Sequence, residues 1–260
     1  MWIAIDIGNT NIHTGIFEAD AMHASFSTLC REMHMHQENL KTSLASLPLR
    51  SSISAVIVSS VNPETEHFIF EQIKTHLFAK PEKIGTDIPV PLTVLVDQPE
   101  KVGADRLLNA LAVYERVHDS AIIIDAGTAI TVDVIDNHGA FIGGIIAPGM
   151  DISSKALHSN TALLPKVSIT RPKTVLGKNT VEAITSGIYW GTVGMIKQYI
   201  DMLFAELQKK PVVVATGGDA HILAGEIPVI SSIIPALTLE GIKVAYKARE
   251  KGKKRNTLLL

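Results

Sequence analysis

The chain has a single cysteine in 260 residues, Cys30. An intrachain disulfide is therefore excluded, and a reducing compartment is the expectation. A basic leader is missing too. The first basic residue is Arg31, so the apolar start from Met1 to Ile5 lacks the positive n-region of a secretory signal. Charge-free runs such as 183–196 and 227–239 fall short of the roughly 18 apolar residues that a membrane span needs. The formal net charge of −2 supplies no general attraction to nucleic acid or anionic membrane. The chain is thus expected to be cytoplasmic, with neither nucleic acid nor membrane as a partner. The one strongly basic stretch, Lys247, Arg249, Lys251, Lys253, Lys254 and Arg255, has no interleaved aromatics and reads as a solvated helix end and frayed tail.

What is present is the material for packed α/β structure. Hydrophobic residues make up 46% and charged residues 19%, a globular balance, and the length predicts two domains. The two halves open alike. Trp2 to Ile7 is an apolar strand carrying Asp6 and followed by Gly8 and Thr10; Ala121 to Ile124 is another, running into Asp125, Gly127 and Thr128. Strand-Asp-x-Gly-x-Thr thus occurs twice. Each copy is followed by hairpin strands, Ile12 to Phe17 with Met22 to Phe26, and Ile130 to Ile135 with Ala140 to Ile146. Helices and single strands then alternate, which predicts α/β layers. A polar break at 116–120 places the boundary so that the domains are 1–116 and 117–260.

The repeated turn suits phosphate chemistry. Glycine lets backbone N–H groups approach an anion, and the threonine hydroxyl adds a donor. A carboxylate there repels phosphate, so its useful work is to hold a cation, directly or through water, that bridges to phosphate oxygens. One such turn is common; two in equivalent places are specific. A third apolar strand, Val212 to Thr216, opens into Gly217, Gly218 and Asp219, where small residues leave room for a flat adenine or ribose. Taken by itself, that segment is better explained as an ordinary strand-to-helix turn. Between the halves lies Gly103-Ala104-Asp105-Arg106, with Asp105 in the first turn of a predicted helix, where the helix dipole favours a carboxylate.

A long apolar stripe, Ile184, Ile188, Val193, Ile196, Ile200, Leu203 and Leu207, predicts a major packing helix. Its glycines Gly187, Gly191 and Gly194 each lower helix propensity by about 1 kcal/mol relative to alanine, a loss that close packing against another helix would offset. That partner helix belongs either to this subunit or to a second one. Asn179 and Glu182 form a helix-capping pair at the start, which leaves Thr180 free for a ligand; Thr180 as a simple cap is the alternative. Two weaker signals are declined. Gly177-Lys178-Asn179-Thr180 is no P-loop, because Asn179 follows the lysine and Pro172 stands at the leading glycine position. Cys30, His34 and His36 lack a fourth ligand at zinc spacing.

The phosphate motif Asp6-Ile7-Gly8-Asn9-Thr10-Asn11, the second motif Asp125-Ala126-Gly127-Thr128 and the Gly217-Gly218 turn resemble the nucleotide-binding elements of the actin-like kinase superfold. With Gly103-Ala104-Asp105-Arg106, Gly143-Gly144 and Pro148-Gly149, nearly the whole chain resembles type III pantothenate kinase. The resemblance implies two duplicated ribonuclease-H-like α/β domains (the actin-like ATPase fold) with a cleft between them for ATP. ATP contacts are implied at Asp6, Ile7, Gly8, Asn9, Thr10, Asn11, Ile12, His13, Thr128, Gly217 and Gly218. Pantothenate contacts are implied at Gly103, Ala104, Asp105, Arg106 and Thr180, with Asp105 the base for the substrate hydroxyl. It also implies Mg2+ at Asp6, a monovalent cation (K+ or NH4+) at Asp125, and a homodimer. The activity implied is phosphorylation of pantothenate to 4′-phosphopantothenate, the first step toward coenzyme A. One departure is Val96, where the family commonly carries a tyrosine lining the pantothenate site. Another actin-like kinase acting on a sugar or carboxylate, or a non-catalytic nucleotide-gated regulator, remains the alternative.

Overall fold

A computed structural model describes residues 1–45, 53–77 and 79–257. The chain divides into two compact units, Met1–Arg116 with Ala236–Leu260, and Val117–Pro235.

The first unit is built on a five-stranded sheet in the order β3-β2-β1-β4-β5. Its strands are β1 (Trp2–Ile7), β2 (Asn11–Glu18), β3 (Ala21–Leu29), β4 (Ala55–Ser60) and β5 (Pro81–Lys83), accompanied by helices α1 (His36–Ala45), α2 (Pro63–Leu77) and α3 (Ala104–Val117). All six residues of β1 are buried. That is why the strand reads as a continuous apolar run: both faces of this central strand are covered. Ile3, Ile5 and Ile7 pack with Val56, Val58, Ile69 and Ile73 on one face. Trp2 and Ala4 pack on the other with Ile57, Leu108, Leu111, Leu239 and Ile242.

The second unit repeats this plan with β6 (Ala121–Ala126), β7 (Ala129–Ile135), β8 (Phe141–Pro148), β9 (Val212–Thr216) and β10 (Ile230–Ile233), in the order β10-β9-β6-β7-β8. In both sheets the first strand pairs antiparallel with the second and parallel with the strand that follows the helical crossover. The unit also holds α4 (Met150–Ser159), α5 (Thr180–Leu207) and α6 (Ala220–Glu226). Ile196, Ile200 and Val193 of α5 join Ile122, Ile124, Val132 and Val213 of the sheet in one core.

Two expectations are corrected and one open alternative is narrowed. The polar break at 116–120 predicts that everything from residue 117 onward lies in the second domain, but α7 (Leu237–Thr257) belongs to the first unit. Its apolar side chains Leu239, Ile242 and Ala245 complete the core around Trp2 and Phe17. α7 lies against α3 so tightly that a Cβ at Gly241 would sit 2.2 Å from the Leu108 carbonyl oxygen. The basic carboxy-terminal stretch is likewise not simply solvated: Lys247 pairs with Asp20, and Arg249, 12% exposed, pairs with Glu82. Side chains from residue 253 onward lie outside the described residues. Of the two partners left open for the stripe of Gly187, Gly191 and Gly194, no other helix among the described residues comes close, since a Cβ added at any of them meets nothing within 4 Å beyond the adjoining backbone of α5.

Among the described residues no helix is long and apolar enough to cross a membrane.

Candidate active site

Asp6 is the next-to-last residue of β1 and only 7% exposed. The turn after it closes through the Gly8 N–H, which donates to the Asn11 carbonyl at 2.9 Å. Asn9 and Thr10 are exposed at its tip, as is His13 just beyond on β2. Cys30 supports this turn from beneath. Its backbone N–H donates to the Thr10 carbonyl at 2.8 Å, and its thiol donates to the Gly8 carbonyl at 3.4 Å. Burial pushes the Cys30 thiol above its ordinary pKa, which keeps it in the donor form.

Asp105 reaches the same end of the sheet. The Val61 N–H bonds the Ile7 carbonyl at 3.0 Å, tying the exit of β4 to that of β1. A Cβ at Gly103 would lie 4.0 Å from Val61 Cγ1 and 2.5 Å from Asp105 Oδ1. Glycine at 103 thus leaves the space that the Asp105 carboxylate occupies at the start of α3. Asp105 Oδ1 also accepts the Arg106 backbone N–H at 2.9 Å, which fixes the carboxylate on the helix terminus. Ala104, Asp105 and Arg106 are all half-buried. The first unit therefore gathers the Asp6 turn and the Gly103 to Arg106 element at the carboxyl ends of β1 and β4, the usual ligand side of an α/β sheet.

In the second unit Asp125 is the next-to-last residue of β6, beside the turn of Gly127 and the exposed Thr128. Two glycines make the close approaches here. A Cβ on Gly149 would be 2.4 Å from the Gly127 carbonyl oxygen, and one on Gly217 2.6 Å from Asp125 Oδ1. Gly217 has φ +91°, and the Asp219 N–H donates to the Ala126 carbonyl at 3.0 Å, locking the β9 turn onto the Asp125 motif. Gly218 is exposed beside it. Burial raises the Asp219 carboxyl pKa, opposed by His221 and reinforced by Asp151. Thr180 stands apart, at the first position of α5. Asn179 caps that helix, its side-chain oxygen accepting the Glu182 N–H at 2.9 Å, while Glu182 accepts the Lys178 N–H at 2.8 Å. The threonine is left exposed and lines a cavity of about 610 Å3 with Gly177, Lys178, Leu157 and Leu164.

Two residues were not singled out in the sequence: Ser59, the parallel register partner of Asp6, and Thr131, the antiparallel partner of Asp125. Both hydroxyls are buried without a hydrogen-bond partner. An orphaned hydroxyl beside each motif carboxylate fits a hydrated cation better than a sealed apolar contact. The only signal in the sequence was a hydroxyl residue within a mainly apolar strand.

Two like-wound α/β units with an Asp-x-Gly-x-Thr turn at the end of each first strand define a kinase of the actin-like ATPase fold. The solved structures agree on the fold. A protein of Campylobacter jejuni described as a Baf family transcriptional activator superposes with TM-score 0.59 at 22% identity, covering 96% of this chain and 99% of that one. The ethanolamine utilization protein EutJ of Carboxydothermus hydrogenoformans gives TM-score 0.54 at 14% identity, covering 94% and 89%. Sequence comparison is more specific. The sequence model of type III pantothenate kinase matches residues 2–202. The type III pantothenate kinase of Geobacter sulfurreducens is 37% identical over 253 residues, 95% of this chain and 98% of that one. That of Syntrophotalea carbinolica is 36% identical over 256 residues, 97% and 100%. The chain belongs to the type III pantothenate kinase family.

Proposed function

We propose that the chain transfers the γ-phosphoryl group of ATP to the primary hydroxyl of pantothenate, giving 4′-phosphopantothenate and ADP. The observation that carries this is family membership over 95% of the chain with the two phosphate turns and the Gly103 to Arg106 element intact. In the reaction the pantothenate oxygen attacks the γ-phosphorus, the bond to the β,γ-bridging oxygen breaks, and the hydroxyl proton passes to Asp105. Little covalent work falls to the protein, so positioning and charge stabilisation supply most of the acceleration.

The Asp6 turn through His13, with Thr128, Gly217 and Gly218, holds the nucleotide in this reading. Gly103, Ala104, Arg106 and Thr180 hold pantothenate. Asp6 would hold Mg2+, directly or through water, and Asp125 a potassium or ammonium ion. When bound, these ions neutralise the phosphate charge that the carboxylates would otherwise repel. A cytoplasmic location accords with the free thiol of Cys30. A homodimer is proposed through the open glycine stripe of α5, Gly187, Gly191 and Gly194.

A coupled assay with ATP, Mg2+, potassium and a panel of hydroxyl compounds tests the assignment. Pantothenate should turn over. Turnover of glycerol, a sugar or acetate in its place would reject the substrate.

A further inference from the structure

Ser59 is 0% exposed, and its hydroxyl has no hydrogen-bond partner among the described residues. Its place in the sheet says what it faces. Paired residues of neighbouring strands lie about 4.8 Å apart with side chains on the same face, and Ser59 pairs with Asp6. Strand alternation puts both on the face that carries Trp2, Ala4 and Ile57 and packs with α3 and α7. Ser59 and Asp6 are the polar end of an otherwise apolar ladder.

A hydroxyl buried without a partner disfavours the folded state, and an alanine of nearly the same size would avoid that cost. Coincidence explains the position poorly. Four buried side-chain polar atoms lack partners among the described residues, on Ser59, Thr131, Trp190 and Arg249. Two of the four are register partners of the aspartates in the repeated phosphate turns. Each motif carboxylate thus has an unmet hydroxyl as a cross-strand partner, Ser59 on the parallel neighbour of β1 and Thr131 on the antiparallel neighbour of β6; these are not equivalent strands, and Thr216, the counterpart of Ser59 in the second unit, donates to the Ile234 carbonyl at 2.7 Å.

We infer that Ser59 is a positioning residue of the divalent-cation site, its hydroxyl accepting a hydrogen bond from a water in the hydration shell of a cation held at Asp6. Magnesium-type ions bind through one or two carboxylates and keep several waters, which need hydrogen-bond acceptors. Ser59 supplies one at the strand spacing from the carboxylate. Such outer partners typically change metal affinity by about 10- to 100-fold. This inference rests on the reading of Asp6 as the cation carboxylate.

The test is Mn2+ binding to the full chain, followed by electron paramagnetic resonance with ADP present. Ser59→Ala should raise the Mn2+ dissociation constant about tenfold, while ADP affinity without divalent ion stays within about twofold. The rise in Tm that Mn2+ and ADP together confer should shrink in parallel, because ligand stabilisation follows affinity; a merely structural serine would shift Tm equally with and without the ion. Ser59→Thr, which keeps the hydroxyl, should recover Mn2+ binding. If Ser59→Ala does not fold, Ser59→Cys fills the site with a weak acceptor and should show the same loss. Unchanged Mn2+ affinity in a folded Ser59→Ala or Ser59→Cys overturns the inference. Asp6→Asn tells the two failures apart. Should it lose Mn2+ while Ser59→Ala keeps it, the role of Ser59 alone is wrong; should it keep Mn2+, the reading of Asp6 is wrong and this inference goes with it.

Discussion

Gly217 and Asp125 keep their places only because the glycine has no side chain. An ideal Cβ would stand 2.6 Å from Asp125 Oδ1 and 2.5 Å from the Ala126 carbonyl oxygen, at a backbone φ of +91°. Gly217→Ala therefore meets a left-handed conformation and two fixed groups at once. The expected loss is about 2–4 kcal/mol of unfolding free energy by urea titration, from αL strain and overpacking together. Because the β9 turn is hydrogen-bonded to Ala126, calorimetry should also show weakened binding of a non-hydrolysable ATP analogue. A variant with unaltered stability and affinity would mean that the two turns are not held together as described.

Asp105 gives a kinetic prediction. Its carboxylate is fixed by the Arg106 N–H and by the room at Gly103. Asp105→Asn keeps that shape and removes the charge. Loss of a positioned base lowers kcat by about 100- to 10,000-fold, with ATP-analogue affinity changed by less than a few-fold. Retained turnover would reduce Asp105 to a substrate-positioning role, and lost nucleotide binding would place it in the ATP site.

The contrast between these residues shows what could be read from the amino-acid order. Strand-Asp-x-Gly-x-Thr is local chemistry, so the turns at Asp6 and Asp125, the strands before them and the Asn179 cap are all visible within a few residues. Ser59 and Thr131 are defined by cross-strand register, a long-range property that no local pattern states. The membership of α7 in the first unit is hidden for the same reason: its apolar positions reveal a buried face, while the partner, the sheet around Trp2 and Phe17, begins more than two hundred positions earlier. The glycines of α5 suggested a close helix contact, and only the structure shows that the described residues place no atom within 4 Å of a Cβ added there, beyond the adjoining backbone of α5.

Asp125→Ala should raise the apparent KM for ATP and alter its dependence on potassium, measured in sodium and potassium buffers of equal ionic strength. Indifference of the unsubstituted enzyme to potassium would remove the monovalent-cation role from Asp125.

The glycine stripe gives an assembly prediction whose sign separates two cases. A Cβ at Gly187 or Gly191 would meet no described atom within 4 Å beyond the adjoining backbone of α5, so Gly187→Leu and Gly191→Leu start into open space. In a lone chain each substitution replaces glycine with a better helix former and should stabilise α5 by about 0.5–1 kcal/mol. If α5 packs against its two-fold copy, the same side chains block the contact, and sedimentation velocity should show the dimer dissociating at micromolar concentration. A monomeric, fully active unsubstituted enzyme would remove the interface.

His36 should make stability depend on pH in a defined window. The ring is 2% exposed, contacts Phe26, and its Nε2 lies 2.9 Å from Thr14 Oγ1. Burial lowers its pKa from the ordinary 6.5 to about 4. In the unfolded chain the imidazole takes its proton near pH 6.5, whereas in the folded chain it stays neutral until about pH 4. Between those values the unfolded state binds more protons, so folding stability is complete above pH 6.5 and declines as pH falls toward 4. At 1.36 kcal/mol per pKa unit the full loss is about 3 kcal/mol. Carboxylates titrate in the lower part of the same range, so the informative quantity is the difference between the natural chain and His36→Gln, which keeps a polar partner for Thr14 and cannot titrate. Urea unfolding across pH 4–7.5 should give a steeper decline for the natural chain, and the His36 ring resonance should titrate with a midpoint near 4. A midpoint near the ordinary value, with parallel stability curves, would show that water reaches the ring and that its burial does not govern its charge.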